Sequence, residues 1–151
     1  IVDTEAVMIR LENGDSSIGK ARVVREGEDL TIVTWGAMVH VALDAAENVS
    51  NRGIEVEVVD LRTLVPFDAE TCIKSVLRTG RLIVLQESQW TGGFGHTISS
   101  RIIEESFWGL ETPPVVIGAL DTPVPFSPTL EDHTIPSVDV VSRHIDRACA
   151  K

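Results

Sequence analysis

The chain has 151 residues and a formal net charge of −10, with 43% hydrophobic and 24% charged residues, a composition typical of one ordinary globular domain. The acidic balance argues against nucleic acid and an anionic membrane surface as partners, and it is compatible with a basic protein partner. No apolar run approaches the roughly 20 residues of a membrane-spanning helix.

An irregular, turn-rich segment, residues 1–17, precedes the first predicted element. After it, short apolar runs predict strands, and apolar residues repeating every three or four positions predict helices. In chain order the patterns predict strands at 21–24 and 30–34, a helix at 38–52, a strand at 54–60, a helix at 69–79, a strand at 81–86, a helix at 96–107, a strand at 115–119 and a helix at 138–149.

Side-chain chemistry adds detail to these elements. Asp68 and Ser137 are predicted to cap the helices that follow them. Residues 121–128 carry three prolines and are predicted to be irregular. Cys72 and Cys149 both fall on the apolar side of a helical pattern, as does Leu77. The sequence therefore predicts that Leu77 faces the core and that both thiols are buried in a protein from a reducing compartment.

Strands that alternate with helices from Leu30 onwards predict βαβ units, in which helices cover both faces of a mostly parallel sheet. Such sheets meet ligands at the carboxyl ends of their strands. The longer loops all leave that edge, at residues 35–38, 60–63, 87–95 and 121–127. The pattern does not decide whether a small molecule or a protein surface binds there.

Polar side chains in these loops are candidates for a site. Asp60, Arg62, Glu87 and Asp121 could converge at the edge, where a carboxylate pair can act as acid and base and an arginine can hold an anion. The favoured interpretation is an interaction network that fixes the loops. The four histidines have no metal-ligand spacing, so no metal site is predicted. The sequence also has no nucleophile-elbow or phosphate-loop motif, and no catalytic residue is predicted.

A glycine-rich turn at 91–95, with the sequence TGGFG, has two interpretations. Backbone amides at the start of the following helix could hold an anion. Alternatively, the missing side chains let another chain approach closely, with an aromatic residue as a plug for its pocket. The second is favoured, and the predicted contact consists of Glu87, Trp90, Gly92, Gly93, Phe94 and Gly95.

Four segments, read in order, resemble the C-terminal domain of the beta subunit of thiamine-diphosphate-dependent 2-oxo acid dehydrogenases of the pyruvate and branched-chain type. They are residues 18–33, VVDLRTLVPFD at 58–68, TGGFG at 91–95 and DTPVPF at 121–126. The family more usually has His-Glu-Ala before the glycines, so only Glu87 corresponds. The resemblance implies a transketolase C-terminal-like domain at 18–151: three layers, α/β/α, around a five-stranded, mostly parallel sheet whose first strand is antiparallel.

The resemblance also implies a function. In the family, thiamine diphosphate and magnesium lie between a pyrimidine-binding domain and the alpha subunit, which carry out the decarboxylation. The C-terminal domain builds the beta–beta contact, and in some members it docks the basic subunit-binding domain of an acyltransferase. The expected assembly is a homodimer or an alpha/beta heterotetramer, located in the cytoplasm or, in a eukaryote, in the mitochondrial matrix. The candidate acids for the basic partner are Glu131, Asp132, Asp139 and Asp146.

Only 17 residues precede the resemblance, and the Gly-Asp-Gly motif that holds the diphosphate is not in this sequence. The chain is therefore expected to bind no cofactor and to catalyse nothing alone, as an excised fragment or a stand-alone homologue of an oxidoreductase subunit. The alternative is a stand-alone flavodoxin-like module that binds a small anionic ligand at the turn formed by residues 92–95.

Overall fold

The computed structural model describes residues 18–150. The predicted irregular segment, residues 1–17, lies outside the described residues. The strands are β1 (Arg22–Arg25), β2 (Leu30–Thr34), β3 (Val56–Asp60), β4 (Leu82–Gln89) and β5 (Val115–Ala119). The helices are α1 (Met38–Ser50), α2 (Ala69–Thr79), α3 (Gly95–Ser106), α4 (Pro128–Thr134) and α5 (Val138–Cys149), with a 3-10 turn at Phe107–Gly109.

The strands form a single five-stranded sheet in the order β1-β3-β2-β4-β5. β1 pairs with β3 in the antiparallel sense, and the other three pairings are parallel. Parallel pairing requires that a helix crosses over between successive strands, which α1, α2 and α3 provide. The predicted fold class is confirmed, including the antiparallel first strand.

Helices cover both faces of the sheet, and each face has its own apolar core. Side chains of β2, β3 and β4 alternate between the faces, so Ile32 and Val58 lie under α1 and α5. Val33 and Val59, one residue further along, lie under α2 and α3. The central strands are therefore buried on both sides, which explains their nearly continuous apolar runs.

Two helix starts agree with the predicted caps. The Asp68 carboxylate accepts a hydrogen bond from the backbone N–H of Thr71, and the Ser137 hydroxyl accepts one from Val140. α2 ends at Gly80, whose φ of 70° lies in the left-handed region that favours glycine. Within residues 18–150, no helix is long and apolar enough to cross a bilayer.

Several predictions about local structure were wrong. Leu77 was predicted to face the core, but half of its surface is exposed because it lies at the edge of the buried stripe of α2. Cys72 is buried as predicted, whereas Cys149, in the last turn of α5, is only half-buried. The helix α4 was not predicted, although Ser127 and Pro128 at its start form a known initiation pattern.

The strand β4 is longer than predicted. It continues through polar residues to Gln89, which pairs with Ala119 beyond an irregularity in the register. The backbone N–H of Trp90 also donates to the carbonyl of Ala119, at 2.9 Å. The end of β4 therefore depends on its pairing with β5, and it cannot be predicted from the residues of β4 alone.

Candidate functional site

The side chain of Gln86 organises the turn between β4 and α3. Gln86 is completely buried. Its Oε1 atom accepts a hydrogen bond from the backbone N–H of Gly95 at 2.6 Å, and its Nε2 atom donates to the carbonyl of Gln89 at 2.9 Å. One amide side chain therefore fixes both the end of the strand and the start of the helix. Sequence reasoning had given Gln86 no role.

The glycines of the turn pack closely around Gln86. A Cβ atom built on Gly93 would lie 1.8 Å from Gln86 Nε2, and one built on Gly95 would lie 2.7 Å from Gln86 Oε1. A Cβ atom built on Gly118, in the neighbouring strand β5, would lie 3.0 Å from Gln86 Nε2. The space that these glycines leave is therefore occupied by the Gln86 side chain of the same chain.

Gly92 differs from the other two glycines of the turn. Nothing lies within 4 Å of a Cβ atom built on it, and its φ is 75°. Glycine suits this position because of the left-handed backbone rather than for lack of space. Gly92 is exposed, and it remains a candidate for contact with another molecule.

The amides of the turn are partly used inside the chain. The N–H of Gly95 is bonded to Gln86, and the N–H of Thr91 donates to Asp121 Oδ1 at 2.9 Å. Phe94 is half-buried and packs against the core beneath α2 and α3. Fewer amides are therefore left for an anion, and less of Phe94 is left for a partner, than the sequence pattern alone indicates.

Trp90 lies on the surface but is held in place. Its indole N–H donates to the carbonyl of Val116 at 3.1 Å, and 51% of the residue is exposed. Its ring meets the ring of His96 edge to face, with centroids 4.8 Å apart. His96 Nε2 lies 2.8 Å from the carbonyl oxygen of Trp90. A fixed, half-exposed indole is suited to an interface, because little entropy is lost when a partner covers it.

The loops after β4 and β5 are joined by Asp121. Its carboxylate accepts hydrogen bonds from the backbone N–H of Thr91 and, at 2.6 Å, from the Thr91 hydroxyl. These bonds lower the pKa of the Asp121 carboxyl below its usual value. Gln89 Nε2 adds a third link by donating to the carbonyl of Thr122 at 2.6 Å.

Asp60 and Arg62 lie in a different part of the edge. Asp60 Oδ1 accepts a hydrogen bond from the backbone N–H of Arg62, and Arg62 Nε donates to the carbonyl of Lys20 at 3.1 Å. These residues follow β3, which is three strand spacings from β5, or roughly 14 Å at about 4.8 Å per spacing. The structure therefore places Asp60 and Arg62 apart from Asp121, and the four polar candidates do not form one cluster.

The residues of this edge do not fit a magnesium–diphosphate group. Across residues 18–150 no group of three or more His, Cys, Asp and Glu side chains is placed to hold a metal ion. The carboxylate of Asp121 contacts the turn, and both of its oxygens accept hydrogen bonds from Thr91. We therefore assign no step of thiamine chemistry to these residues.

An apolar surface that the sequence analysis missed lies beside the turn. We call it the carboxyl-edge surface, and it consists of Leu120, Val124, Phe126 and Leu130. All four are exposed, and Phe126 is fully so. The signal in the sequence was the alternation of prolines and large apolar residues at 123–126, in a segment that cannot bury them in a regular element.

A second apolar surface lies at the opposite edge of the sheet, where α3 ends. Trp108 is 95% exposed, and its ring meets Phe107 edge to face at 5.0 Å. A groove of about 520 Å³ runs beside them, and Leu110 and Glu111 are among the residues that line it. We call this the Trp108 groove.

Comparison with known proteins identifies the domain. Residues 19–141 match the family described as "Transketolase, C-terminal domain". The beta subunit of acetoin:2,6-dichlorophenolindophenol oxidoreductase from Cupriavidus necator is 47% identical over 119 residues, which are 79% of this chain and 35% of that protein. The beta subunit of the pyruvate dehydrogenase E1 component from Rickettsia conorii is 40% identical over 131 residues, which are 87% of this chain and 40% of that protein.

Solved structures agree with these relatives. A split-gene transketolase, described as an inactive beta4 tetramer, superposes with a TM-score of 0.74 at 28% identity, over 91% of this chain and 44% of that one. A transketolase from Pichia stipitis shares the fold, with a TM-score of 0.62 at 16% identity over 87% of this chain and 18% of that one.

The chain spans 35% and 40% of the length of the two beta subunits. Because the family match covers most of the chain and the relatives exceed 30% identity, the family resemblance noted from the four motifs is confirmed. The chain belongs to the transketolase C-terminal domain family and is similar to the beta subunits of the pyruvate and acetoin dehydrogenases.

Proposed function

We propose that this chain is the assembly domain of the beta subunit of a thiamine-diphosphate-dependent 2-oxo acid dehydrogenase. The observation that carries the proposal is its identity of 40% or more to beta subunits over most of its length, combined with a family match to their C-terminal domain type. In this proposal thiamine diphosphate and magnesium bind to other parts of the enzyme. The chain contributes subunit contacts and does not catalyse the reaction by itself.

The carboxyl-edge surface is the proposed site of the subunit contact. Burying one large apolar side chain is worth about 1.5–3 kcal/mol, so a surface with a fully exposed Phe126 gains from being covered. The fixed indole of Trp90 and the exposed Gly92 lie in the loop that Asp121 ties to this surface. We propose that Glu87, Trp90 and residues 92–95 form the rim of the contact and that Phe126 lies at its centre.

The proposed assembly is a homodimer or an alpha/beta heterotetramer in the cytoplasm, or in the mitochondrial matrix if the source is eukaryotic. One relative of the same family, the beta-2 subunit of the pyruvate dehydrogenase E1 component from Oryza sativa, is described as mitochondrial and is 41% identical over 149 residues. The split-gene transketolase described as a beta4 tetramer supports self-association as a property of this domain type.

The Trp108 groove is the proposed docking site for the basic subunit-binding domain of an acyltransferase. Exposed aromatic side chains beside a groove are typical anchors of protein interfaces. The lining also includes Glu111, whose carboxylate pairs with Arg81 at 2.6 Å. Among the acids first considered, Asp146 is already paired with Arg52 at 3.0 Å. Glu131 and Asp132 form no ion pair with any residue of the described part of the chain, so they remain candidates.

Light scattering coupled to size exclusion tests the proposed function. We expect the wild-type chain to have at least twice its mass of 16.4 kDa, and Phe126→Ala to return it to the monomer. Trp108→Ala is the matched control, because it removes an equally exposed aromatic from the opposite edge. Calorimetry with thiamine diphosphate and magnesium should detect no binding.

Two results contradict the proposal. Tight binding of thiamine diphosphate to this chain alone rejects a purely structural role. A wild-type chain that stays monomeric, also with the alpha subunit present, and that binds inorganic phosphate at residues 92–95 would favour the anionic-ligand module instead. Amide shifts of Gly92 and Gly93 in a phosphate titration distinguish that module from the assembly domain.

A further inference from the structure

The two edge strands of the sheet are protected against pairing in different ways. β1 is short, has an irregularity in its register and carries an arginine at each end, features that usually prevent strands of two molecules from pairing. β5 has the sequence VVIGA, with no charged residue, and among residues 18–150 only β4 pairs with it. We propose that Trp90 closes the outer side of β5, so that a second copy of the chain cannot extend the sheet there.

The hydrogen bonds of β4 show which of its residues face β5. The backbone N–H of Thr31 in β2 donates to the carbonyl of Arg81, and the Thr34 hydroxyl donates to the carbonyl of Leu85. Backbone groups of successive residues in a strand point to opposite sides, so the odd-numbered residues of this stretch face β2. The even-numbered residues between them therefore face β5.

The register between β4 and β5 then identifies the outer groups of β5. Val84 is paired in register with Val116, and in a parallel ladder a residue bonds to the two neighbours of its register partner. Val84 therefore bonds to Val115 and Ile117. The backbone N–H and carbonyl groups of Val116 and Gly118 point away from β4, on the outer side of the sheet.

Trp90 reaches this outer side with its side chain. β4 ends in the exposed polar residues Glu87–Gln89, and the backbone N–H of Trp90, which follows them, donates to the carbonyl of Ala119. The indole Nε1 of Trp90 donates to the outer carbonyl of Val116 at 3.1 Å. One residue therefore bonds to β5 twice, through its backbone at the end of the strand and through its indole at the outer side.

Gly118 makes room for this arrangement. A Cβ atom built on Gly118 would lie 3.1 Å from the Cα atom of Trp90. It would point to the same face of the sheet as the side chain of Val116, which packs against the core under α2 and α3. Trp90 therefore crosses β5 on this face, over a position that has no side chain. The edge-to-face contact with His96 holds the indole in place.

The indole competes directly with an added strand. A neighbouring strand would place a backbone nitrogen about 2.9 Å from the Val116 oxygen, and Trp90 Nε1 already lies 3.1 Å from that oxygen. Pro113 and Pro114, which precede β5, have no N–H to offer a partner strand. The inference is independent of the proposed subunit contact, because Trp90 covers β5 within its own chain.

Hydrogen exchange of the indole N–H groups tests this cap in the full-length chain labelled with ¹⁵N. Trp108 is the reference, because it is 95% exposed and its indole forms no hydrogen bond with residues 18–150. The indole N–H of Trp90 should exchange about ten-fold more slowly than that of Trp108, or more slowly still, because a bonded N–H exchanges only when the bond opens. Equal exchange rates would overturn the inference.

Light scattering tests the consequence for association. Trp90→Ala is made in the full-length Phe126→Ala chain, which the proposed function predicts to be monomeric. We expect the mass to rise with protein concentration to at least twice 16.4 kDa. The amides of Val116 and Gly118 should at the same time become protected from exchange by about ten-fold or more. Trp108→Ala in the same background is the matched control and should not change the mass.

Two further variants separate strand pairing from loss of structure. The N–H of Val116 points outwards, so Val116→Pro breaks no bond between β4 and β5 and removes a donor that an added strand needs. Adding Val116→Pro to the Trp90→Ala chain should return the mass to that of its background. If circular dichroism shows that Trp90→Ala does not fold, Trp90→Phe takes its place, since it keeps a ring and removes the indole donor.

Three results of this series overturn the inference: no increase in mass without the indole, an increase in mass without protection of the Val116 and Gly118 amides, or association that is unchanged by Val116→Pro. If the Phe126→Ala background is itself associated, the proposed subunit contact fails. The increase in mass over that background, and the protection of the two outer amides, then still decide the role of Trp90.

Discussion

The carboxylate of Asp121 holds both the backbone N–H and the hydroxyl of Thr91, at 2.9 and 2.6 Å. Asp121 follows β5 and Thr91 follows β4, so one side chain ties together the two loops that border the carboxyl-edge surface. Regular structure ends here, and two more hydrogen bonds join the same segments: Trp90 N–H donates to the carbonyl of Ala119, and Gln89 Nε2 donates to the carbonyl of Thr122. The Asp121–Thr91 pair contributes two of the four bonds on which the orientation of the proposed subunit contact depends.

Asp121→Asn should reduce the thermal stability in a pH-dependent manner. The hydrogen bonds from Thr91 hold the pKa of the Asp121 carboxyl below its ordinary value of 3.8. A lowered pKa stabilises the folded state above pH 3.8, and this contribution is lost as the pH falls through the pKa of the folded protein. The difference in Tm between wild type and variant should therefore be largest near pH 7 and shrink below about pH 4.

Calorimetric scans between pH 7 and pH 3 measure this difference. Asp44→Asn is the control, because Asp44 is an exposed acid of α1 that makes no hydrogen bond or ion pair with the described residues. A Tm difference for Asp121→Asn that is the same at every pH, or no larger than that of the control, shows that the carboxylate does not hold the loops.

Gly93→Ala should destabilise the fold through Gln86. The new Cβ atom would lie 1.8 Å from Gln86 Nε2, so the buried amide must move and its two hydrogen bonds must break or distort. Overpacking of this kind costs about 1–3 kcal/mol in the free energy of unfolding. Gly92→Ala meets no atom and should lose only about 1–2 kcal/mol for its left-handed backbone.

A double-mutant cycle separates the two causes. Gln86→Ala removes the amide that lies closest to the new Cβ atom, so the combined loss for Gly93→Ala and Gln86→Ala should be smaller than the sum of the single losses. The close contact of this Cβ atom with the Gln89 carbonyl oxygen, at 2.5 Å, remains in the double variant. The losses for Gly92→Ala and Gln86→Ala should add. Denaturant unfolding provides all of these values, and an additive result for Gly93 would contradict the role that we assign to Gln86.

The fold could be predicted from the sequence, but the details of the turn between β4 and α3 could not. Apolar periodicity located α1, α2 and the central strands because these elements are buried on one stripe or on both faces. It missed α4 because none of the seven residues of this helix is buried, so its sequence has no repeating apolar pattern. Gln86 was overlooked because its role depends on Gly95 and Gln89, and neither hydrogen bond follows from local sequence.

The candidate site remains a prediction, and the structure shows only where its residues lie and how they are used within the chain. The carboxyl edge was located from the loop lengths, and Trp90 and Asp121 do lie in the two loops that meet there. Phe94 was predicted as a plug, yet it is half-buried, and Phe126 is the aromatic residue that is fully exposed. Exposure depends on which strands are neighbours in the sheet, and a single sequence does not contain that order.

The two thiols should differ sharply in reactivity. Burial raises the pKa of the Cys72 thiol to about 12, and burial also raises the pKa of the half-buried Cys149 thiol, although nearby Arg81 partly opposes this. Because the thiolate is the reactive form, Cys149 should react first with Ellman's reagent at pH 8, and Cys72 should react only when the protein unfolds. Cys149→Ser should remove the early phase. An early phase that persists in this variant would show that Cys72 is accessible.

Arg78→Met should be among the most destabilising surface substitutions, because its partner is buried. Glu57 is 1% exposed and pairs with Arg78, and its Oε1 atom accepts a hydrogen bond from the Thr31 hydroxyl at 3.2 Å. Loss of one partner leaves a carboxylate without a counter-charge inside the sheet layer, at a cost of about 3–5 kcal/mol. We expect the lower end of this range, since Arg78 itself is 44% exposed and water can partly replace it.

Lys74→Met is the matched control on the same helix. The Lys74–Glu70 pair is fully solvated, so its loss should leave Tm unchanged within error. The double variant Arg78→Met with Glu57→Gln should recover most of the stability, because a neutral amide needs no counter-charge and can still accept the hydrogen bond from Thr31. Two results would contradict this prediction: a loss of stability for Arg78→Met that is as small as that for Lys74→Met, or no recovery of stability when Glu57→Gln is added. Either result would show that the buried carboxylate does not depend on Arg78. The hydrogen bonds of Thr31 with Glu57 and Thr79 would then hold the polar cluster under α2.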